Sequence, residues 1–593
     1  MKRIAFVALP LLACTTTGGT VDPAPQPPLQ QANTGSCPDY NQYKNAYFGD
    51  LHDHTWYSLD AYGFGTRRTP YDALAFAMGA TANKYLGGTE QLHKPLDFAI
   101  VSDHSEFLGV TDECLVDPSE PYYNGPYCTW LQGQAANFNT IPAAWAATCA
   151  FNDTTCIANR TADVCKSHPT ECANEEADVW SLEQANANGF DSYGHMNGQC
   201  TFTAFNAYEW TATPGGNTMH RIVLFANDQV PSTPLDYLHY PSVVSLMNGL
   251  NAQCINAGTG CDVITMPHNP NLSGGQAWNM IGGATEASLR AQFDRLAEVH
   301  QHKGNSECPP TANGGTDPDC NFEQLNSDLS GSQVYVRDGL KLGLSNWSSS
   351  RVDPFQFGLQ ASTDNHYAVP GKVEEYSWDG FLAELDDSAD KRLSSFADHN
   401  PGGLTGVWAT QNTRDALFTS LKNREVFATS GPRMQVRFYQ TWNSSVDYCQ
   451  DANFPQEIVD AGGIPMGGTM APQAGNPNFV IWAKEEDMPI VRIQVIKAWL
   501  GSDGMVHEQV NPVWSGSSAM PCVTWTDTSP PGATYPAFYY ARVFQQSTAR
   551  WSDFDCANDP NCPGVNCPSY CSDPSRVYMI EERAYSSPIF QLP

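Results

Sequence analysis

Basic residues are scarce in this chain. Its 593 residues include 31 Lys and Arg against 63 Asp and Glu, a formal net charge of -32. Such a surface repels phosphodiester backbones, which argues against nucleic-acid backbone binding. Long apolar runs are also missing. The N-terminal run from Ile4 to Cys14, IAFVALPLLAC, is too short to span a bilayer, and no other segment is apolar enough to do so. There is no phosphate-cradling Gly-rich loop of the ATPase type. The nucleophile-elbow pattern is not found where a strand meets a helix, so no serine triad is expected.

Cysteine is plentiful, with 19 residues. Lys2 and Arg3 precede the N-terminal apolar run, as in an export signal. Leu11-Leu12-Ala13-Cys14 resembles a bacterial lipobox. That reading predicts a signal peptide over 1–13 and lipidation of Cys14. It would anchor the protein in the bacterial envelope, in the periplasm or at the cell surface, with the outer membrane as the expected site. An ordinary secretion signal with a nearby cysteine is the alternative. Residues 14–45 are expected to form a flexible tether, rich in Pro, Gly, Thr and Gln over much of their length. The even number of cysteines beyond Cys14 suits disulfides in an oxidising compartment. Seven of them lie between Cys114 and Cys200, in an expected insertion over about 111–200. Cys254/Cys261 and Cys308/Cys320 are candidate local bridges. Cys556, Cys562, Cys567 and Cys571 suit either two disulfides or a zinc knot.

Hydrophobic residues make up 41% of the chain, a globular composition, and its length calls for more than one core. Several short apolar runs end in a possible metal ligand. DFAIVSDH ends in Asp103-His104, TFTAFNAYEW reaches Glu209, CDVITMPH ends at His268, and FQFGLQASTDNH ends in Asp364-x-His366. YFGDLHDH contributes His52 and His54. Alternation along an extended chain puts these two imidazoles on one face. Helical patterns intervene. Thr69-Pro70 reads as an N-cap and first helical residue before YDALAFAMGA, Thr285 reads as the cap of a helix along EASLRAQFDRLAEVH, and another helix is expected in NTRDALFTSLKNREVFATSGP. Strands alternating with helices predict an α/β fold with a mostly parallel sheet or barrel, its ligands gathered at the strand C-termini. After Gly431-Pro432, read as an interdomain turn, strand-like segments dominate. They suggest a smaller β-sandwich-like domain over 431–593.

GDLHDHTWYSLDA, DFAIVSDHSE, AYEW, MPHNP and STDNH resemble the successive motifs of the PHP superfamily, the polymerase and histidinol phosphatase metalloesterases. The chain is similar, more narrowly, to a secreted PHP-like bacterial family known as a domain of unknown function. GNSEC, REVFATSGPRMQVRFY and RIQVIKAWL carry that narrower likeness. The resemblance implies a distorted (β/α)7 barrel over 46–430 and three divalent metal ions at its C-terminal face. His52, His54 and Asp364 would bind the first metal, and Glu209 would bridge it to the second. His220 and His268 would complete the second. Asp60, His104 and His366 would hold the third, with Asp60 standing where some members use histidine. The implied activity is hydrolysis of phosphate mono- or diesters by a metal-activated water.

Six imidazoles and three carboxylates without a thiolate suit Zn, Mn or Fe better than Ca or Mg alone. Asp103 is a candidate for proton transfer or for orienting a ligand. Lys303 and Arg337 are candidates for binding an anionic small-molecule ester, or for ordinary salt bridges. His300 and His302 share one face if extended and are candidates for the mouth of the site, with a surface or packing role the favoured reading of each. Gly215-Gly216 is expected to let backbone approach the metals. Two other readings stand beside the phosphoesterase: a hydrolase of a sulfate or carboxylic ester, and a glycan- or surface-binding lipoprotein with a structural metal site.

Overall fold

A computed structural model describes residues 37–135, 168–280, 283–325, 335–562, 564 and 567–593. Cys14, the signal segment, most of the tether and the centre of the Cys-rich insertion lie outside the described residues.

The fold is mixed α/β. Strand β1 (Asn45–Asp50) pairs in parallel with β2 (Phe98–Ile100), which pairs in parallel with β3 (Thr203–Phe205). Next come β4 (Ala207–Trp210), β5 (Arg221–Phe225) and β6 (Val263–Pro267), with β5 antiparallel to both neighbours. Then β7 (Leu296–Gln301) pairs in parallel with β8 (Gly358–Ala361). Most of these strands are apolar and buried along their length, as sheet strands covered on both faces must be. Three isolated parallel bridges connect the ladders: His104 with Glu209, Thr265 with Asp294, and Asp53 with Asn365. Continuous ladders do not close into a barrel among the described residues.

The helices follow local signals where their caps are explicit. The segment α1 (Leu59–Phe64) carries Asp60. In α2 (Pro70–Ala77), Thr69 and Asp72 form a reciprocal capping box. The next two expectations need correction. Helix α3 (Gly283–Phe293) begins before Thr285, which is therefore not its cap. The helical pattern also does not run on to His300, because Leu296–Gln301 is β7. Its backbone is claimed by β8 on one side and by Gly304–Asn305 on the other.

Beyond β8, β9 (Leu404–Ala409) runs antiparallel to β1, and β10 (Val426–Thr429) antiparallel to β9. Gly406 sits opposite Phe48, and an added Cβ there would lie 2.1 Å from the Phe427 ring. Glycine leaves room for Phe427 to meet Phe48 edge-on, with ring centroids 5.6 Å apart. The same sheet continues through β11 (Ile490–Leu500), β12 (Ala537–Gln545) and β13 (Arg583–Ser586). Hydrogen bonding thus crosses the expected boundary at 430/431. One apolar core also holds Phe48 and Ala99 together with Phe479, Val495 and Tyr539.

Seven disulfides join described residues. Cys254–Cys261 and Cys308–Cys320 are the local bridges read from spacing, and Cys37–Cys200, Cys114–Cys128 and Cys449–Cys522 add others. Cys556–Cys571 and Cys562–Cys567 take up all four cysteines of the possible zinc knot, so it is a pair of disulfides.

Candidate metal centre

Strand ends deliver the ligands. His52 and His54 follow β1, His104 follows β2, Glu209 lies in β4, and His220 immediately precedes β5. His268 follows β6, and Asp364 and His366 follow β8. Asp50 ties two of these ends together: its carboxylate accepts from the His52 and Thr363 amides and from the Thr363 hydroxyl. Asp364 has φ 54° and Asn269, next to His268, has φ 48°. Left-handed backbone at non-glycine residues costs energy and is held here by the surrounding structure.

The side chains converge. Nε2 of His52 lies 3.3 Å from Oδ1 of Asp364, and Nε2 of His54 lies 3.2 Å from the same oxygen. The same two nitrogens lie 3.2 and 3.4 Å from Oε2 of Glu209. The other Glu209 oxygen, Oε1, faces Nδ1 of His220 at 2.7 Å and Nε2 of His268 at 3.4 Å. Glu209 therefore has one oxygen toward each of two imidazole groups. Asp60 Oδ2 lies 3.3 Å from Nε2 of His104 and 3.1 Å from Nε2 of His366. Groups able to hold a metal ion include His52-His54-Asp364, His52-Glu209-His268 and His54-His104-His366.

The outer nitrogens fix the tautomers. His54 Nδ1 lies 2.9 Å from the Ser58 hydroxyl, which donates its own proton to Asp103 Oδ1 at 2.6 Å. Ser58 must then accept from His54 Nδ1–H, leaving the His54 Nε2 lone pair facing inward. His366 Nδ1 donates to the Asp364 carbonyl at 2.9 Å, which aims its Nε2 inward. His52 stands between two carboxylates, with Nδ1 3.1 Å from Glu298 Oε2 and Nε2 3.2 Å from Glu209 Oε2. Such outer partners are the usual means of orienting metal-ligating histidines.

The donor set fits divalent cations. Asp364 Oδ1 is buried and accepts no hydrogen bond, although two imidazole Nε2 atoms face it. A buried acceptor that faces the His54 lone pair is costly without a cation between them. The carboxyls stay ionised. Burial would raise Glu209, but His104, His268 and His220 hold it well below the ordinary carboxylate range. Burial likewise opposes the charge on Asp364, which His52 and Lys303 hold well below that range. Burial drives the His54 imidazole well below its usual value, helped by His366 and His104, so this ring is a neutral donor.

Asp103 is fully buried and accepts from the Thr55 amide and from Ser58. This arrangement fixes His54 through Ser58. Lys303 Nζ pairs with Asp364 Oδ2, and Gln301 Nε2 reaches the same oxygen at 2.6 Å. Arg337 corrects an expectation. Its buried guanidinium is committed to Glu307, Asp317, Glu508 and the Tyr540 hydroxyl, which leaves no face for substrate. His302 is buried and groups with Asp364 and His366 as a possible metal holder. Its His300-x-His302 spacing at a strand end repeats that of His52 and His54. His300 packs against Phe322 instead, with ring centroids 5.5 Å apart. Gly216 has φ 86° but open space where a Cβ would stand, so it serves a turn, not a close backbone approach.

The DUF3604 family, described as "Protein of unknown function", matches residues 41–521 and 514–593. The chain belongs to this family. No curated protein matches it. Among solved structures, a two-domain protein from Bacteroides vulgatus, containing a predicted PHP-like metal-dependent phosphoesterase, aligns with 8% identity and a TM-score of 0.32. The alignment covers 86% of this chain and 94% of that one, but a likeness this loose carries no argument.

Proposed function

We propose that this DUF3604 protein is a secreted metal-dependent hydrolase acting on organic phosphate mono- or diesters. The observation that carries the reading is the buried Asp364 Oδ1, faced by the oriented Nε2 of His54. In this reading three metals are held by His52, His54 and Asp364, by Glu209, His220 and His268, and by Asp60, His104 and His366. With β3 and β4, parted only by Asn206, taken as one strand, β1 to β8 then act as a distorted seven-stranded barrel, a reading supported by the three bridges between their ladders. Lipidation at Cys14 remains part of the proposal, and the disulfides support an oxidising compartment.

Zn, Mn or Fe ions would supply Lewis acidity and ionised water near neutral pH. The protein's own residues do the positioning. Asp103 and Ser58 keep the His54 proton on Nδ1. Glu298 holds the His52 ring in place from its Nδ1 side. Lys303, with a side chain 26% exposed, stands over Asp364, where its ammonium can meet an anionic ester oxygen.

The test is hydrolysis of 4-nitrophenyl phosphate and bis(4-nitrophenyl) phosphate by metal-loaded protein, beside an Asp364→Ala/His366→Ala control. Turnover lost in the control supports the reading. No turnover of either ester by protein with metal bound overturns the phosphoesterase assignment, and sulfate and carboxylic esters then become the substrates to examine.

A further inference from the structure

A second cavity, of about 320 Å³, is lined by none of the proposed metal ligands. It lies where the segment after β8 meets the C-terminal strands, and Val373, Leu404, Met488 and Phe554 give it apolar walls. This volume is at the lower end for small-molecule sites, about 300–1,000 Å³. Five carboxylates line it: Glu374, Glu375, Glu486, Asp487 and Glu582. Its cationic lining residues are Lys94 and Arg433. Lys94 Nζ is taken up by Glu486 at 2.6 Å, and the Arg433 guanidinium donates to the Lys94 and Pro95 carbonyls.

Glu582 and Glu375 form no ion pair with a described cation, and the neighbouring Arg583 donates to the Glu581 and Asp319 carbonyls. Glu582 is 2% exposed; the Ser430 hydroxyl donates to Oε2, and no described residue donates to Oε1. Oε1 lies 3.8 Å from the Cβ position of Gly431, another lining residue. Glu375 takes the Trp551 amide on Oε2, and its Oε1 is buried with no partner. The nearby Arg550 is committed to Glu323 at 2.8 Å and to the Ala397 and His399 carbonyls. Burial, and then Glu375, pushes the Glu582 carboxyl well above the ordinary range, while burial takes Glu375 up to about 8.

We propose that this cavity binds an organic cation, a primary amine with an apolar body, whose ammonium sits between Glu582 and Glu375. The unpartnered acceptors call for N–H donors, and the surplus of carboxylates calls for positive charge. The apolar walls favour an organic cation over a hydrated metal ion. An anion or a neutral apolar molecule brings neither the positive charge that would let both carboxyls ionise nor the N–H donors that their free oxygens accept.

The probe is 2-phenylethylamine, titrated calorimetrically into the full-length, metal-loaded chain, with 2-phenylethanol and 3-phenylpropionate as neutral and anionic counterparts. Saturable amine binding is expected, with the alcohol at least tenfold weaker and no binding of the carboxylate. Glu582→Gln keeps the shape and the Ser430 contact and should weaken amine binding at least tenfold. Glu375→Gln should do the same, each with an unchanged unfolding midpoint. An amine held instead at the metal centre would ignore both substitutions. The proposal is overturned if no amine binds more tightly than about 1 mM, if amine and alcohol bind alike, or if both folded variants keep wild-type affinity.

Discussion

Nε2 of His54 lies 3.2 Å from Oδ1 of Asp364, and neither atom has a proton to offer the other. Ser58 keeps the imidazole proton on the far side of the ring, and Asp103 keeps Ser58 turned to accept it. That chain of three residues makes a lone pair point at a carboxylate inside the protein. A cation resolves the conflict.

Ser58→Ala should therefore weaken metal binding without dismantling the site. Loss of an outer-shell partner typically costs about 10–100-fold in metal affinity. Competition with a chromophoric chelator would measure it. An unchanged affinity would show that the His54 tautomer does not depend on Ser58.

Metal removal should destabilise the fold. A ligand that binds only the native state, present at about 100 times its dissociation constant, contributes about 2.7 kcal/mol. Exhaustive chelation should lower the calorimetric unfolding midpoint, and Zn or Mn should restore it. A midpoint indifferent to chelator would contradict tight occupancy.

Arg337 should matter for stability and not for turnover. Removing one partner of a buried ion pair costs about 3–5 kcal/mol. Arg337→Ala should lower the unfolding midpoint while kcat/KM per folded molecule stays within about twofold of wild type, well under the tenfold change that 1.36 kcal/mol would bring. The partner gives a pH signature. Burial opposes ionisation of Glu307, but Arg542 and Arg337 hold its carboxyl down at about 2. Such a group stabilises the fold above the unfolded carboxyl value of about 4.3, and its contribution fades as pH falls through the folded value. Glu307→Gln should flatten that part of the acid-unfolding curve. An unaltered curve would remove Glu307 from the account.

Lys303→Met tests substrate contact at the mouth of the site. A hydrogen bond to a charged group is worth about 1.5–3 kcal/mol. KM for an anionic ester should rise about tenfold or more, while a neutral carboxylic ester, if cleaved, should be unaffected. Equal effects on both would assign Lys303 to holding Asp364.

Much of this centre was legible because period-two alternation places His52 with His54, and Asp364 with His366, on one face of a strand end. His302 carried the same spacing signal, but the sequence does not say which strand end faces the centre. Sequence leaves Arg337 open between substrate contact and a salt bridge, because its partners, Glu307, Asp317 and Glu508, come together only in three dimensions. Leu296–Gln301 looked like a helix continuation because LAEVHQ suits either period over so short a run. Cys254–Cys261 closes a local loop and could be read from spacing. Cys37–Cys200 spans 163 residues and could not. The strand-like segments after Gly431 read as a separate domain, yet β13 is hydrogen-bonded to β10, and register between distant strands leaves no local trace.

The most direct measurement is metal content per chain, by inductively coupled plasma mass spectrometry, on wild type and on Asp364→Ala/His366→Ala protein equilibrated with Zn or Mn. The account predicts three divalent ions (one for each proposed ligand group) in wild type, and a clear loss in the variant. No stoichiometric metal in folded wild-type protein, or the same content in both proteins, would contradict it.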